Sequence, residues 1–166
     1  MTKAQRFEPR ARLLGLLLPF AVLVFGALPA AAAGPPIAGS GTFAQVSFAA
    51  SNFRTAGGNT FFDFTEHDSL TGTFTGTSVI NGSCVTHASG QTTCQAVETF
   101  TGTVAGQGGV GDTVTFRDVI AISPTGAASG SFTVIGGTGA LANVHGHGTF
   151  QGTSTGTYTA RIVFAP

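Results

Sequence analysis

Thr71-Gly-Thr-Phe-Thr-Gly-Thr77 is the clearest strand signal in the sequence, and it has relatives at Thr99-Phe-Thr-Gly-Thr103 and Gly148-Thr-Phe-Gln-Gly-Thr153. Each stretch places one phenylalanine among small or β-branched residues, in the apolar-polar alternation of a half-buried strand. The glycines are typical of positions where a strand bends around a closed sheet. The stretches do not recur at the fixed period of roughly 20–50 residues that a solenoid requires.

The same alternation continues along the chain in short runs separated by glycine. The segment 49–59 is interpreted as a loop. The runs that flank Cys84 and Cys94 are interpreted either as separate strands or as extensions of the neighbouring strands. We expect an all-β fold, an antiparallel barrel of about eight strands. Lysine side chains commonly prevent an exposed edge strand from pairing with another chain, and this sequence has few of them. Closure into a barrel would remove the exposed edges altogether. A flattened β-sandwich is the alternative. The predicted strands are 41–49, 60–67, 70–80, 83–87, 91–104, 112–122, 129–135, 144–152 and 156–164.

The N-terminal residues match a secretory signal peptide. Residues 1–12 carry four bases and one acid, residues 13–28 are almost entirely apolar, and Ala30 to Ala33 supply the small residues of a cleavage site. We therefore expect a signal peptide at 1–33, a linker at 34–40 and one β-barrel domain at 41–166. A permanent membrane anchor is the alternative, but the apolar run is shorter than the about 20 residues of a spanning helix.

Few charges follow the predicted cleavage site. Residues 34–166 hold three arginines, no lysine and six acids, which gives a formal charge of −3. Nucleic-acid binding and polybasic attachment to membranes both need clustered bases, so we expect neither partner after cleavage. The composition carries no indication of oligomeric state. Asn81-Gly-Ser83 matches an N-glycosylation site, but the alanine-rich signal is typical of bacteria, so the match is discounted.

The two cysteines predict a disulfide. An even number of cysteines in an exported protein favours pairing. If Ala88-Ser89-Gly90 is a three-residue hairpin loop with Gly90 in the left-handed conformation, Cys84 lies opposite Cys94. Two free thiols in a metal site are the alternative, but no further ligand lies near by in the sequence.

Ile135-Gly-Gly-Thr-Gly-Ala-Leu-Ala-Asn-Val-His-Gly-His-Gly148 resembles the glycine-rich segment of the allene oxide cyclase-like barrel superfamily, which includes dirigent proteins. The flanking stretches, Phe100-Thr-Gly-Thr-Val-Ala-Gly106 and Gly156-Thr-Tyr-Thr-Ala-Arg-Ile-Val-Phe164, resemble most a bacterial secreted family of unknown function with that barrel. The resemblance covers residues 65–164 and implies an eight-stranded antiparallel barrel. One fold hosts many functions, so no cyclase or dirigent chemistry and no catalytic residue is carried over.

Three carboxylates are candidate catalytic residues. Glu98 and Asp118 share strand faces with apolar residues, and a hairpin centred at Gly108 would place them directly opposite each other. Glu66 lies on the same face as Phe62 and Phe64. Carboxylates close together in an apolar interior raise one another's pKa, which would make an acid-base pair that shares a proton. The alternative is that they sit at strand ends and reach solvent.

Other polar residues give weaker indications. His145 and His147 lie two residues apart on one strand face, a spacing that suits Zn²⁺ or Cu²⁺, but they share that face with polar residues and lack a third ligand. Tyr158 is interpreted as a core aromatic with its hydroxyl near the rim. The sequence has no catalytic Gly-x-Ser-x-Gly or His-Glu-x-x-His motif and no cofactor motif, and Gly136-Gly137-Thr138-Gly139 lacks the Gly-Lys-Ser/Thr of a phosphate loop.

Three functions fit these observations. The first is an exported, non-catalytic barrel that binds a small apolar ligand. The second is a structural or surface barrel with a filled core. The third is an isomerase or cyclase that acts on a hydrophobic substrate with Glu66, Glu98 and Asp118. The sequence favours the first narrowly over the second, and both over the enzyme.

Overall fold

Eight antiparallel strands make up most of residues 34–166, the part of the chain that the computed structural model describes. Each strand pairs with the next and β8 pairs with β1, so the sheet forms a closed barrel. The predicted signal peptide lies outside the described residues. No helix within the described range is long and apolar enough to cross a membrane. The strands are β1 (Ile37–Ala56), β2 (Asn59–Gly72), β3 (Phe74–Thr86), β4 (Thr92–Val104), β5 (Gln107–Ile122), β6 (Ala128–Gly137), β7 (Val144–Gly152) and β8 (Thr155–Phe164).

Strand β1 is longer than the sequence predicted at both ends. Its first residues, Ile37 to Ser40, pair with β8, so the expected linker at 34–40 contributes its second half to the sheet. The loop expected at 49–59 was wrong, because β1 runs on to Ala56 and turns into β2 through Gly57 and Gly58. Irregular pairing with β2 interrupts the apolar-polar alternation at two places in β1. The alternation therefore does not predict the full length of this strand.

The hairpin of β3 and β4 carries the disulfide. The runs predicted separately as 70–80 and 83–87 belong largely to one strand, β3, so the hairpin is an extension of its neighbours. Cys84 pairs with Cys94 across the hairpin, and the two sulfur atoms are bonded. The loop is the predicted one, with a left-handed Gly90. Both cysteines are buried on the inner face, where they pack in a cluster with Phe64 and Ile80.

Inward phenylalanines lie against the barrel wall. Four of them stand directly opposite a glycine on the neighbouring strand, where a side chain in place of the hydrogen would collide with the ring. The rings therefore cover backbone instead of crossing the interior, which leaves space inside a barrel that is rich in phenylalanine. The pairs are Phe43 with Gly156, Phe64 with Gly82, Phe132 with Gly148, and Phe150 with Gly130.

One end of the barrel is filled. Phe74 packs edge-on against Phe100 and Phe116, with ring centroids 5.6 and 5.4 Å away. Leu141, from a short 3-10 turn between β6 and β7, is fully buried in the same cluster, which also holds Val104. Phe74, Val104 and Leu141 lie at or next to the β2–β3, β4–β5 and β6–β7 connections, so the core closes that end. In the other half of the interior, the side chains of the described residues leave a cavity.

Candidate functional site

A cavity of about 310 Å³ occupies the unfilled half of the barrel. It reaches the connections at the opposite end, because Gly126, Thr153 and Ser154 of the β5–β6 and β7–β8 hairpins line it. The disulfide forms part of its wall. Nine aromatic residues of the described range line it, namely Phe43, Phe48, Phe62, Phe64, Phe74, Phe116, Phe132, Phe150 and Tyr158. Pairs of these rings stack, such as Phe48 on Phe64 with centroids 5.7 Å apart.

Four carboxyl groups face into this aromatic cavity. Alternation along β2 turns Glu66 and Asp68 inward together with Phe64, and the same alternation turns Glu98 of β4 and Asp118 of β5 inward. Asp118 and Asp68 are buried, and Glu66 and Glu98 are partly exposed to the cavity that they line. Among residues 34–166, the only other titratable group that lines the cavity is the Tyr158 hydroxyl.

The predicted direct opposition of Glu98 and Asp118 was wrong. Glu98 pairs with Phe116, and Asp118 pairs with Ala96, so the two carboxylates are diagonal neighbours on the same face. The β4–β5 hairpin turns tightly at Ala105 and Gly106, both with positive φ, and the pairing then shifts between Thr101 and Thr103. The combined displacement moves the register by two residues from a hairpin centred at Gly108, which preserves the inward face.

The interior raises the pKa of three of the carboxyl groups. Burial, and then the charge of Asp118, raises the pKa of Glu98 to about 8. Burial raises the pKa of Asp118 to about 7. Burial, followed by the charge of Glu66, raises the pKa of Asp68 to about 7. Loss of solvation disfavours a charged carboxylate, and a neighbouring carboxylate adds repulsion, so the group retains protons near neutral pH.

Few hydrogen bonds compensate for this burial. Glu66 accepts a bond from the side-chain amide of Gln45 at 2.9 Å. The Oδ1 atoms of Asp68 and Asp118 are buried without a hydrogen-bond partner. Buried polar atoms are nearly always paired in folded proteins, so two unpaired oxygen atoms in one cavity are unusual.

Sequence reasoning found Glu66, Glu98 and Asp118 and missed Asp68. All three predicted residues line the same cavity, while a role in catalysis stays a prediction. Asp68 was missed because the predicted strands stopped at residue 67 and restarted at 70. The alternation of Phe62, Phe64, Glu66 and Leu70 could have found it, since residue 68 continues the same inward series.

Tyr158 is a buried structural residue at the floor of the cavity. Its hydroxyl accepts a hydrogen bond from the backbone N–H of Phe74 at 2.8 Å and donates to the carbonyl of Thr71 at 2.9 Å. The hydroxyl thereby ties β8 to the β2–β3 connection. Burial raises the pKa of Tyr158, so the phenol stays neutral at physiological pH and is held in place as a neutral hydrogen-bonding group.

The two histidines considered as metal ligands, His145 and His147, lie on the outer face of the barrel. His145 and His147 are exposed on β7, and His147 pairs with Arg161 on β8. Across residues 34–166, no three side chains of histidine, cysteine, aspartate or glutamate are arranged to hold a metal ion. Arg117 and Arg161 are exposed, as their strand positions predicted.

Together the fold and the site define a closed eight-stranded barrel with a carboxylate-bearing aromatic cavity. The chain belongs to a protein family of unknown function, DUF3224, whose model matches residues 39–164. A protein of unknown function of this family from Shewanella oneidensis MR-1 has a similar fold, with a TM-score of 0.66 and 15% identity. The match covers 80% of this chain and all of the other. No curated protein matches the chain.

Proposed function

We propose that this protein is an exported barrel that binds one small, largely hydrophobic molecule in its cavity. The observation that carries the proposal is the aromatic cavity of about 310 Å³, which the protein's own side chains leave unfilled. This volume lies in the range of small-molecule sites, and eight-stranded barrels are wide enough to hold one small ligand. A structural barrel with a filled core would not need this cavity.

Export is part of the proposal. The pattern of residues 1–33 supports it, and the bond between Cys84 and Cys94 suits an oxidising compartment. We further propose that the family shares the allene oxide cyclase-like barrel. The glycine-rich segment 135–148 and the closed ring of eight antiparallel strands support this relationship, which implies no chemistry.

A fluorescent apolar dye tests binding. We expect N-phenylnaphthylamine, which is uncharged at neutral pH, to bind the protein saturably with enhanced fluorescence. Ala128 lines the cavity near its open end, so Ala128→Phe should abolish this binding by occupying the space. Ser129 is exposed next to it, so Ser129→Phe adds the same ring outside and should leave binding intact. Circular dichroism confirms that each variant is folded.

Two results would contradict the binding proposal. One is the absence of saturable dye binding to the unaltered protein. The other is equal dye binding by a folded Ala128→Phe variant and by the Ser129→Phe variant.

A second candidate is acid-base isomerisation or cyclisation of a hydrophobic substrate. The observation that favours it is the pair of diagonal carboxyl groups, Glu98 and Asp118, whose pKa values of about 8 and 7 suit proton transfer near neutral pH. One carboxyl group would donate a proton to the substrate while the other removes one.

The enzyme alternative has a direct test. Small molecules that co-purify with the protein are extracted, incubated with fresh protein in heavy water, and analysed by mass spectrometry. Deuterium at a ligand carbon, absent with Glu98→Gln, would support the enzyme. A ligand that returns unlabelled and unchanged would support simple binding.

A further inference from the structure

The cavity is strongly unbalanced in charge. In the described part of the chain, four carboxyl groups line it, and none of the lining residues is lysine, arginine or histidine. The three arginines of residues 34–166, namely Arg54, Arg117 and Arg161, are all exposed on the outside of the barrel. The described part of the chain therefore supplies no cation to the interior carboxylates.

Two of these carboxyl groups are nine-tenths or more buried, and each has one oxygen atom without a hydrogen-bond partner. Asp118 is 2% exposed and Asp68 is 7% exposed, and the Oδ1 atom of each has no hydrogen bond. Both side chains face the cavity, so a donor that enters it can reach them. Once it has lost its proton, a carboxylate only accepts hydrogen bonds, so the partner that the ionised state lacks is a donor.

The walls around the carboxylates suit an organic cation. The faces of aromatic rings attract positive charge, most strongly where water is excluded. The same rings would contact the apolar part of a ligand. A bare metal ion fits poorly, because the described residues offer no group of three ligands for it.

We propose that the ligand of this cavity is an amphipathic amine, with an ammonium group bound among Asp68, Glu98 and Asp118 and an apolar body packed against the phenylalanines. This inference rests on the proposed binding function and names its ligand class. The ammonium supplies the hydrogen-bond donors and the positive charge that the interior lacks. A neutral apolar ligand would leave the buried oxygen atoms of Asp68 and Asp118 unpaired.

NMR of the isoleucine methyl groups shows whether a ligand binds in the cavity and compares the affinities of two ligands. Ile80, Ile120 and Ile122 line the cavity, while Ile37 and Ile135 are exposed outside it and serve as internal controls. The probes are phenylbutylamine, which is cationic, and phenylbutanol, its neutral counterpart. At about pH 8 we expect the amine to shift the cavity methyls and to bind roughly tenfold tighter or more, the factor of one charge-assisted hydrogen bond.

Single-carboxyl variants test the source of this preference. Asp118→Asn should weaken amine binding by roughly fivefold or more while changing phenylbutanol binding little. Glu98→Gln serves as the second variant should Asp118→Asn fail to fold. Asp63→Asn makes the same chemical change at an outer-face residue that is bonded to Ser83 and Asn52, and should not alter the preference. Amine affinity of the unaltered protein should also rise between about pH 6 and pH 8, as the interior carboxyl groups lose protons.

The outcomes separate this inference from the proposed function. If phenylbutanol shifts the cavity methyls and binds as tightly as the amine, the cationic ligand is excluded and apolar binding stands. A preference for the amine that survives both Asp118→Asn and Glu98→Gln would also overturn the inference. If neither probe shifts the cavity methyls and the dye does not bind, both the inference and the proposed function fail.

Discussion

Glu98 has the central position among the interior carboxyl groups. The charges of Asp118 and Glu66 both raise its pKa, and its own charge contributes to the raised pKa of Asp68. The outer-face Asp63 behaves in the opposite way. Hydrogen bonds from Ser83 and Asn52 lower its pKa. Asp63 on β2 and Glu98 on β4 thus differ because Glu98 faces an apolar cavity and Asp63 faces solvent and hydrogen-bond donors.

The sign of the effect on stability follows from the raised pKa. Between the ordinary value of 4.5 and about 8, folded Glu98 holds a proton that the unfolded chain has released. Stability therefore falls as pH rises through this window, because the folded state binds more protons than the unfolded state. Below it both states are protonated and the contribution disappears.

We expect Glu98→Gln to stabilise the fold at about pH 8 by roughly 1–3 kcal/mol, because the amide stays neutral. Near pH 4.5 the same substitution should have little effect. Urea unfolding at both pH values measures the difference, and Asp63→Asn is the control that should not stabilise at either. Equal destabilisation of Glu98→Gln at both pH values would mean that Glu98 is an ordinary hydrogen-bonded strand residue.

Cross-strand pairs of phenylalanine and glycine fix how neighbouring strands align. Phe132 of β6 covers Gly148 of β7, and Phe150 of β7 covers Gly130 of β6 in the opposite direction. Such reciprocal pairs fix the register, since a slip of one residue would turn each ring to the other face. They also keep the rings against the wall, which preserves the cavity.

Alanine substitution at two glycines of the same sequence segment, Gly148 and Gly136, is expected to change the stability of the protein by different amounts. A side chain at Gly148 would meet the Phe132 ring and the backbone of Thr159, whereas one at Gly136 would meet nothing within 4 Å. We expect Gly148→Ala to destabilise the protein by about 1–3 kcal/mol through overpacking. Gly136→Ala should be neutral or slightly stabilising, because alanine reduces the freedom of the unfolded chain. Thermal unfolding compares the two, and equal losses would argue against the ring-over-glycine packing.

At the level of the strands, the apolar-polar alternation of the sequence predicted most of the inward-facing residues and the pairing of the two cysteines. It placed Glu66, Glu98 and Asp118 on inward faces and opposed Cys84 to Cys94, because a three-residue loop leaves one register. It failed for the β4–β5 hairpin, where Gly106 to Gly111 allow several turns and local pattern does not choose among them. It also failed in β1, where irregular pairing with β2 breaks the alternation that identifies a strand.

The interior of the barrel has a packed core at one end and a cavity at the other. The cluster around Phe74 and Leu141 fills one end, and the cavity occupies the other. The sequence could not predict this division, because an inward phenylalanine gives no sign of whether it crosses the interior or lies over a glycine on the next strand. For the same reason the sequence left a filled core and a ligand cavity as open alternatives.

The central claim is that Glu98, Asp118 and Asp68 face one aromatic cavity in which burial reduces their solvation, and carbon-13 NMR of the side-chain carboxyl groups tests it most directly. A pH titration should give a midpoint of about 8 for Glu98 and about 7 for Asp118, with linked curves. Asp63 should titrate below its ordinary value and serves as the internal reference. Midpoints near the ordinary value of about 4 for both Glu98 and Asp118 would contradict the account, because those groups would then be solvated.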